Sequence, residues 1–387
     1  MFEYALNVTE ENHQISSKCF TLLTTNNDDL AEAILKENAK AIHENLQIIL
    51  INKDPIKINR IAMIIQTVIT QIKQVSNEDD YSYVLALLPF VYNRSVYDLF
   101  VSILSNDTNQ PYANLQEYLK YNNFTPTIIN IINQNPEDLA IYDQFLLFTN
   151  LFKLIPYITQ SSLLKDTVTD KEVDSMFRVF TDSSVSLLTS QYSAIFSSIT
   201  GIQICETASS HFEQLLSVIS ELPQRPFMPY DEQIIFIIAK LAQHVPTVVE
   251  RLIADNFCAR LVSLAHAFPQ HSNLHLAIIS FHKETREIEQ LRVGFINEFI
   301  PFVNEMILSE YVELRSFAWN IMVSLKEEEN NIEERLCDES KQKLLSICEC
   351  VDRSYGGEIP TQAEMEDIEL TQEQLQLFLQ FLSGGSR

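Results

Sequence analysis

Four histidines in the second half of the sequence have the clearest potential for metal chemistry: His266, His271, His275 and His282. His271 and His275 are four residues apart, which is the one-turn spacing at which the histidines of HExxH sites bind Zn²⁺. No glutamate follows His271, and no carboxylate is distinctively placed as a third ligand. We therefore interpret the four as ordinary surface or half-buried histidines, and we expect neither a metal nor another cofactor.

Other groups that could do chemistry also have simpler explanations. The carboxylate pair Asp28 and Asp29, or the run 327–329, would suit general acid–base catalysis only inside a cleft, and solvated helix faces explain them equally well. The serine-rich segment 183–198 would suit phosphorylation or a polar helix face. The sequence has no G-x-S-x-G motif, P-loop, dinucleotide fingerprint or kinase-type loop. We expect a protein that is not an enzyme.

The charge of the chain limits its partners. The formal net charge is −25, because 52 acidic residues oppose 27 basic ones. Nucleic acids and anionic membranes require clustered Lys and Arg, so we expect neither as a partner. No basic region followed by an apolar run opens the sequence, and no apolar segment reaches the length of a membrane span. The six scattered cysteines are typical of a reducing compartment, and we expect a soluble protein of the cytoplasm or nucleus.

The elements that must position these residues are predicted to be helices. Apolar side chains recur at helical spacing from Ile61 to Ile72 and again from Phe295 to Ile307, and no run alternates as a strand would. Glycine is scarce, with six in the chain, so proline and Asn/Asp clusters are expected to end the helices. These predicted breaks are 52–55, 76–80, 105–111, 133–136, 223–229, 245–246 and 268–273.

Such breaks leave about sixteen to nineteen helices with short connections, and pairs of helices would recur at the roughly 40 to 47 residues of HEAT or armadillo units. We therefore predict an all-α fold, and within that class an α-solenoid of HEAT/armadillo-like repeats over 1–355. An acidic tail, 356–387, would follow. Its segment TQEQLQLFLQFL predicts a short amphipathic helix that packs on the solenoid or docks onto a partner.

The segment 22–46 contains the best-defined predicted helix start. Asn26 or Asn27 would cap the free amides, and Asp28 and Asp29 would lie at the positive end of the helix dipole. Capping and packing explain this segment without any partner. A second interpretation arises only when later segments are compared with it.

Four stretches in this order resemble the SAPS family, the regulatory subunits associated with sit-four and protein-phosphatase-six type catalytic subunits. Leu22–Lys40 resembles the family's acidic helix start and its following Q-N-x-K. The sequence SVYDLFVSIL at 95–104 is similar to S-x-M-D-L-L-L-R-L-I. Residues 117–129 resemble a stretch that begins E-W-L, and AFPQHSNLHLAI at 267–278 resembles Y-P-W-N-N-x-L-H.

This resemblance, which covers roughly 1–324, implies a noncatalytic subunit that holds a serine/threonine phosphatase catalytic subunit on a solenoid face. Substrate selection and binding of further scaffold proteins are implied with it. The partner contacts implied by the matching motifs are Asp28, Asp29, Asn38, Asp98 and His275. Each of these side chains could instead serve capping or hydrogen bonding within a helix.

Two other functions stay open. A general HEAT/armadillo adaptor in transport or cytoskeletal assembly would bind different partners, such as a basic or peptide-like ligand on a concave face. A hydrolase hidden among the helices would bind metal and depend on His271 or His275.

Overall fold

The computed structural model describes residues 2–6, 11–25, 53–71, 81–106, 110–134, 139–178, 180, 183–326 and 332–355. All regular structure in these ranges is helical, with nineteen α-helices, and no strand occurs in them. The all-α fold class is therefore confirmed. The predicted helix start at Asn26 or Asn27 and the tail 356–387 lie outside the described residues.

The described helices follow one another with short connections. In chain order they are α1 (Phe2–Leu6), α2 (His13–Leu23), α3 (Pro55–Gln71), α4 (Ser82–Ala86), α5 (Arg94–Leu104), α6 (Gln110–Tyr121), α7 (Phe124–Asn133), α8 (Ile141–Gln160), α9 (Asp170–Met176), α10 (Val185–Ser198), α11 (Ile202–Ser209), α12 (Phe212–Ser220), α13 (Pro229–His244), α14 (Pro246–Ala254), α15 (Phe257–Ala267), α16 (Ser272–Thr285), α17 (Glu289–Met306), α18 (Val312–Lys326) and α19 (Asp338–Tyr355). Short 3-10 turns occupy Leu88–Phe90, Lys165–Thr167 and Ile332–Arg335.

Tertiary contacts divide the chain into two compact units, Met1–Glu298 and Phe299–Arg387. In the first unit, six helices form what we call the helix row: α3 packs on α5, α5 on α8, α8 on α10, α10 on α13, and α13 on α16. One or two other helices separate consecutive members along the chain. Some of these also pack on one another, as α7 does on α9 and α9 on α11.

Helices begin and end largely where the sequence predicts. Pro55, Pro229 and Pro246 each occupy the first position of a helix, where the missing amide costs no hydrogen bond. The break predicted at 76–80 lies outside the described residues, and the other six coincide with observed helix boundaries. Pro156 in α8 and Pro301 in α17 lie within helices.

Apolar stripes predicted from spacing form the core. Ile61, Ile64, Ile65, Val68 and Ile69 of α3 are all buried. Farther along the chain, the stripe of α17 is buried likewise. Aromatic contacts fill the space between helices, with ring centroids 5.6 Å apart for Phe100 and Phe124 and 5.3 Å apart for Phe257 and Phe281. Burial of each such side chain contributes about 1.5–3 kcal/mol.

Side chains from other parts of the fold bind the carbonyl groups at helix ends. Gln116 Nε2 donates to the carbonyl of Ile103 near the end of α5, at 2.7 Å. Gln191 Nε2 donates to the carbonyl of Met176 at the end of α9, at 2.6 Å. Lys240 Nζ donates to the carbonyl of Phe196 in the last turn of α10, at 3.2 Å. These bonds satisfy carbonyls that have no partner within their own helix.

Asparagine replaces glycine where the chain must turn out of a helix. Asn123 follows α6 with φ 55°, and Asn256 follows α14 with φ 49°. This left-handed conformation is the one that usually selects glycine after a helix, with asparagine as the common alternative. The Asn256 side chain is exposed and makes no capping hydrogen bond to α15, so backbone conformation is its main contribution.

Substitution of Asn256 tests this conclusion. Asn256→Ala should lower the free energy of unfolding by about 1 kcal/mol, because a Cβ-bearing residue without a polar side chain is strained in the left-handed region. Asn256→Gly is the matched control and should retain or raise stability. Urea denaturation followed by circular dichroism measures both. Equal losses of unfolding free energy in the two variants would show that the asparagine side chain, and not the backbone conformation, stabilises the fold at this position.

Candidate functional site

The contact residues suggested by the sequence fall in different environments. Asp28, Asp29 and Asn38 lie outside the described residues. Asp98 lies on α5, where its Oδ2 accepts a hydrogen bond from Arg94 Nε at 2.9 Å and its side chain is 40% exposed. His275 lies on α16 and is only 6% exposed. Between α5 and α16 the helix row has three members, so the structure places Asp98 and His275 in separate regions.

The four histidines are distributed over surface and core. His266 is exposed at the end of α15, and His271 precedes α16 with its ring edge-on to Phe227, 4.7 Å between centroids. His275 and His282 are buried on α16. Among the described residues, no three His, Cys, Asp or Glu side chains come together as a set that could hold a metal ion.

His282 is part of the core of the first unit. Its ring stacks on Phe295 with 4.0 Å between centroids and 8° between planes, and it is 1% exposed. Burial lowers its pKa from 6.5 to about 4, and the nearby charges of Arg286 and Lys283 act in the same direction. The imidazole is therefore neutral in the folded protein at neutral pH.

This lowered pKa predicts acid sensitivity. The unfolded chain binds a proton at His282 below pH 6.5, whereas the folded chain does so only near pH 4. Stability from the neutral ring is therefore fully present above pH 6.5 and is lost as the pH falls from 6.5 to 4. The loss should reach about 3 kcal/mol, since each pKa unit corresponds to about 1.36 kcal/mol.

The variant His282→Phe keeps an aromatic ring against Phe295 and removes the titration. Its free energy of unfolding should depend less steeply on pH between 6.5 and 4 than that of the native chain. His266→Phe makes the same replacement at an exposed position and is the control, so it should change the slope less than His282→Phe does. Urea denaturation at a series of pH values measures all three proteins. An unchanged slope in His282→Phe would contradict the prediction.

An ion pair with a fully buried carboxylate holds the turn between α12 and α13. Arg225 Nη1 and Nη2 donate to the two carboxylate oxygens of Asp231, both at 2.7 Å, and Asp231 is 0% exposed. Arg225 also donates to the carbonyl of Val218 at 3.1 Å, while Asp231 Oδ2 accepts from the amide of Met228 at 2.8 Å. The turn is thus held by a bidentate, charge-assisted contact at both helix ends.

The surroundings of this pair favour a structural role over acid–base chemistry. The hydrogen bond to Asp231 raises the pKa of Arg225. Burial, with Tyr230 and Asp231 nearby, raises the pKa of Tyr192 to about 12, so its phenol stays protonated. Both oxygens of Asp231 are already occupied by donors in the turn.

Removal of this pair should be costly. Asp231→Ala leaves the partly buried Arg225 guanidinium with only the exposed Glu221 carboxylate as a counter-charge, and we expect a loss of about 3 kcal/mol, the lower end of the range for breaking a buried pair. The matched control is Glu213→Ala, which removes a pair between Glu213 and Arg251 whose carboxylate side chain is 67% exposed. Exposed pairs stabilise a fold little, so Glu213→Ala should lower the free energy of unfolding far less than Asp231→Ala does. Thermal and urea denaturation compare the two, and losses of similar size would contradict a structural role specific to the buried pair.

Two cysteines differ in their ionisation. Burial raises the pKa of the Cys258 thiol to about 12, so this thiol is uncharged. Cys337 is exposed, just before α19, and its hydrogen bond with Ser340 at 3.0 Å lowers its pKa. Ser340 Oγ also lies 3.0 Å from the carbonyl oxygen of Asn304, so its single proton can be donated to either partner, and this contact links the start of α19 to the end of α17.

An apolar groove in the second unit lies between α18 and α19. It has room for about 200 Å³, and its apolar lining consists of Trp319, Met322, Val323, Leu336, Leu344 and Leu345. Lys326 and Lys341 also line it. Sequence reasoning missed this groove. The signal for it was a set of apolar residues, including Val323 and Leu345, on helix positions that remain exposed at 43% and 64%.

None of the described helices is both long and apolar enough to cross a membrane. Comparison with known proteins gives no family model that matches the chain and no match among curated proteins. Any functional conclusion therefore rests on two sources, the side chains of the described residues and the sequence motifs.

Proposed function

We propose that the chain is a noncatalytic subunit that binds a serine/threonine phosphatase catalytic subunit of the protein-phosphatase-six or sit-four type and helps to select its substrates. The observation that supports a scaffold role most directly is the helix row. Each member packs on the next, so that the first unit is built by repeated addition of helices. Arrays of this kind offer long surfaces for other proteins.

The packing order also supports the finer proposal of an α-solenoid of HEAT/armadillo type. Consecutive members of the helix row are separated in the chain by one or two other helices, and several of these contact one another as well as the row. Contacts of this kind are expected when pairs of helices are stacked.

The choice of a phosphatase as partner rests on the motifs that resemble the SAPS family. The stretch 95–104 lies in α5, and the stretch 267–278 extends into α16, so both include residues of the helix row. The stretch 117–129 lies on α6 and α7. Asp98 has an exposed ion pair with Arg94 and can be changed without opening the core.

In this proposal the metal ions and hydrolytic groups belong to the catalytic subunit. The chain contributes position: holding an enzyme and a substrate on one array raises their effective concentration without any chemistry of its own. The net charge of −25 favours neutral or basic partner surfaces, including those of further scaffold proteins. Function in the cytoplasm or nucleus is part of the same proposal.

Affinity purification from native extract followed by mass spectrometry tests the partner. A phosphatase catalytic chain should be recovered, and Asp28→Lys with Asp29→Lys should reduce its recovery while the thermal melt is retained. Asp98→Lys should also reduce recovery, with a stability loss of about 1 kcal/mol or less, because an exposed i,i+4 attraction to Arg94 is replaced by a repulsion of similar size.

The matched control is Glu287→Lys, which reverses a carboxylate that is 92% exposed and outside the four motifs. This variant should recover as much phosphatase as the native chain does. Absence of any such phosphatase from the purified material would refute the proposal. If the melting temperature of the Asp28→Lys and Asp29→Lys variant falls together with the amount of phosphatase recovered, the two aspartates serve the helix end instead. Consistent recovery of transport or cytoskeletal proteins would favour the general adaptor.

A further inference from the structure

The groove in the second unit exposes apolar surface that a soluble chain normally covers. Leu345 on α19 is 64% exposed and Val323 on α18 is 43% exposed, and both line the groove beside Trp319. Exposed apolar surfaces of this kind commonly mark places where another segment or protein binds. The occupant should therefore present an apolar stripe that fits between two helices.

The charges at the groove restrict the occupant further. Lys326 and Lys341 line it, so their methylene stems extend the apolar surface and their ammonium groups place positive charge beside it. An occupant with acidic residues beside an apolar stripe would match both the apolar lining and the two lysines of the groove.

A segment of this chain has that composition. Residues 356–387 lie outside the described residues, and from 354 to 386 the sequence contains no Lys or Arg. Carboxylates precede the apolar part, at Glu364, Glu366, Asp367, Glu369 and Glu373. Leu375, Phe378, Leu379 and Leu382 then follow at i, i+3, i+4 and i+7, the spacing that places four side chains on one face of a helix.

The position of this segment in the chain allows it to reach the groove. The helix α19 contributes one wall of the groove and ends at Tyr355, ten residues beyond Leu345, or about 15 Å along the helix axis. The residues between Tyr355 and Thr371 can span up to about 50 Å when extended. The segment 371–382 can therefore return to the groove within one chain.

We propose that the segment 371–382 docks as a helix in the groove between α18 and α19, with Leu375, Phe378, Leu379 and Leu382 on the apolar lining. The carboxylates that precede it face Lys326 and Lys341. Attachment to α19 keeps the segment at high effective concentration, which favours docking within one chain over binding of a separate molecule. This inference does not depend on the phosphatase proposal.

Trp319 is the single tryptophan of the chain and lines the groove, so it reports directly on docking. The experiment measures its emission wavelength and its quenching by acrylamide in the full chain. Leu375→Glu should shift the emission to the red and increase quenching, because the carboxylate cannot enter the apolar groove. Leu377→Glu makes the same change on the opposite side of the predicted helix, and it should leave both readings unchanged.

A variant of the groove itself completes the test. Leu345→Glu, at an exposed position that should tolerate the change, should expose Trp319 as Leu375→Glu does, and the double variant should add little to either single change. Circular dichroism confirms that each variant is folded. Equal quenching in Leu375→Glu and Leu377→Glu would overturn the proposal. Emission that depends on chain concentration would also overturn it, since a second copy would then cover the groove.

Discussion

The structure depends on hydrogen bonds to the last carbonyl groups of its helices, which this chain must make with little glycine. The last carbonyls of a helix have no partner within it, and glycine commonly allows the backbone to turn and satisfy them. Of the two glycines in the described residues, Gly201 precedes α11 and Gly294 lies inside α17. Gln116, Gln191 and Lys240 supply hydrogen bonds from elsewhere in the fold instead. The terminal carbonyl groups of one helix are therefore hydrogen-bonded only when another part of the fold is in place. This dependence couples the stability of neighbouring helices.

This coupling is compatible with the proposed role of holding other proteins. In the helix row each helix buries its apolar stripe against neighbouring helices, so the first unit depends on nearest-neighbour packing. Ionisable groups in its interior serve that packing: Asp231 closes a turn, and His282 stacks on Phe295. The phosphatase proposal uses the surface that such an array leaves available, while the groove in the second unit is a separate apolar surface for which we propose a different occupant.

Some features of the candidate sites were accessible from sequence, and others were not. The spacing of His271 and His275 raised a zinc hypothesis, but spacing alone does not reveal that one side chain contacts Phe227 and the other is buried. The groove was missed because Trp319 and Leu345 belong to different helices, and each alone is an ordinary apolar residue. Sequence patterns report which positions are apolar, whereas a groove depends on which of these positions neighbouring helices leave uncovered.

The sequence by itself determined the helical class, the apolar stripes and most helix boundaries, because period, proline and capping residues act within a few positions of one another. The buried stripe of α3 and the start of α13 at Pro229 are examples. Only the tertiary structure decided the order of the helix row, the partner of Asp231 and the environment of His282. Each of these depends on contacts between residues brought together by folding, and burial and charge at such contacts arise only when the helices pack.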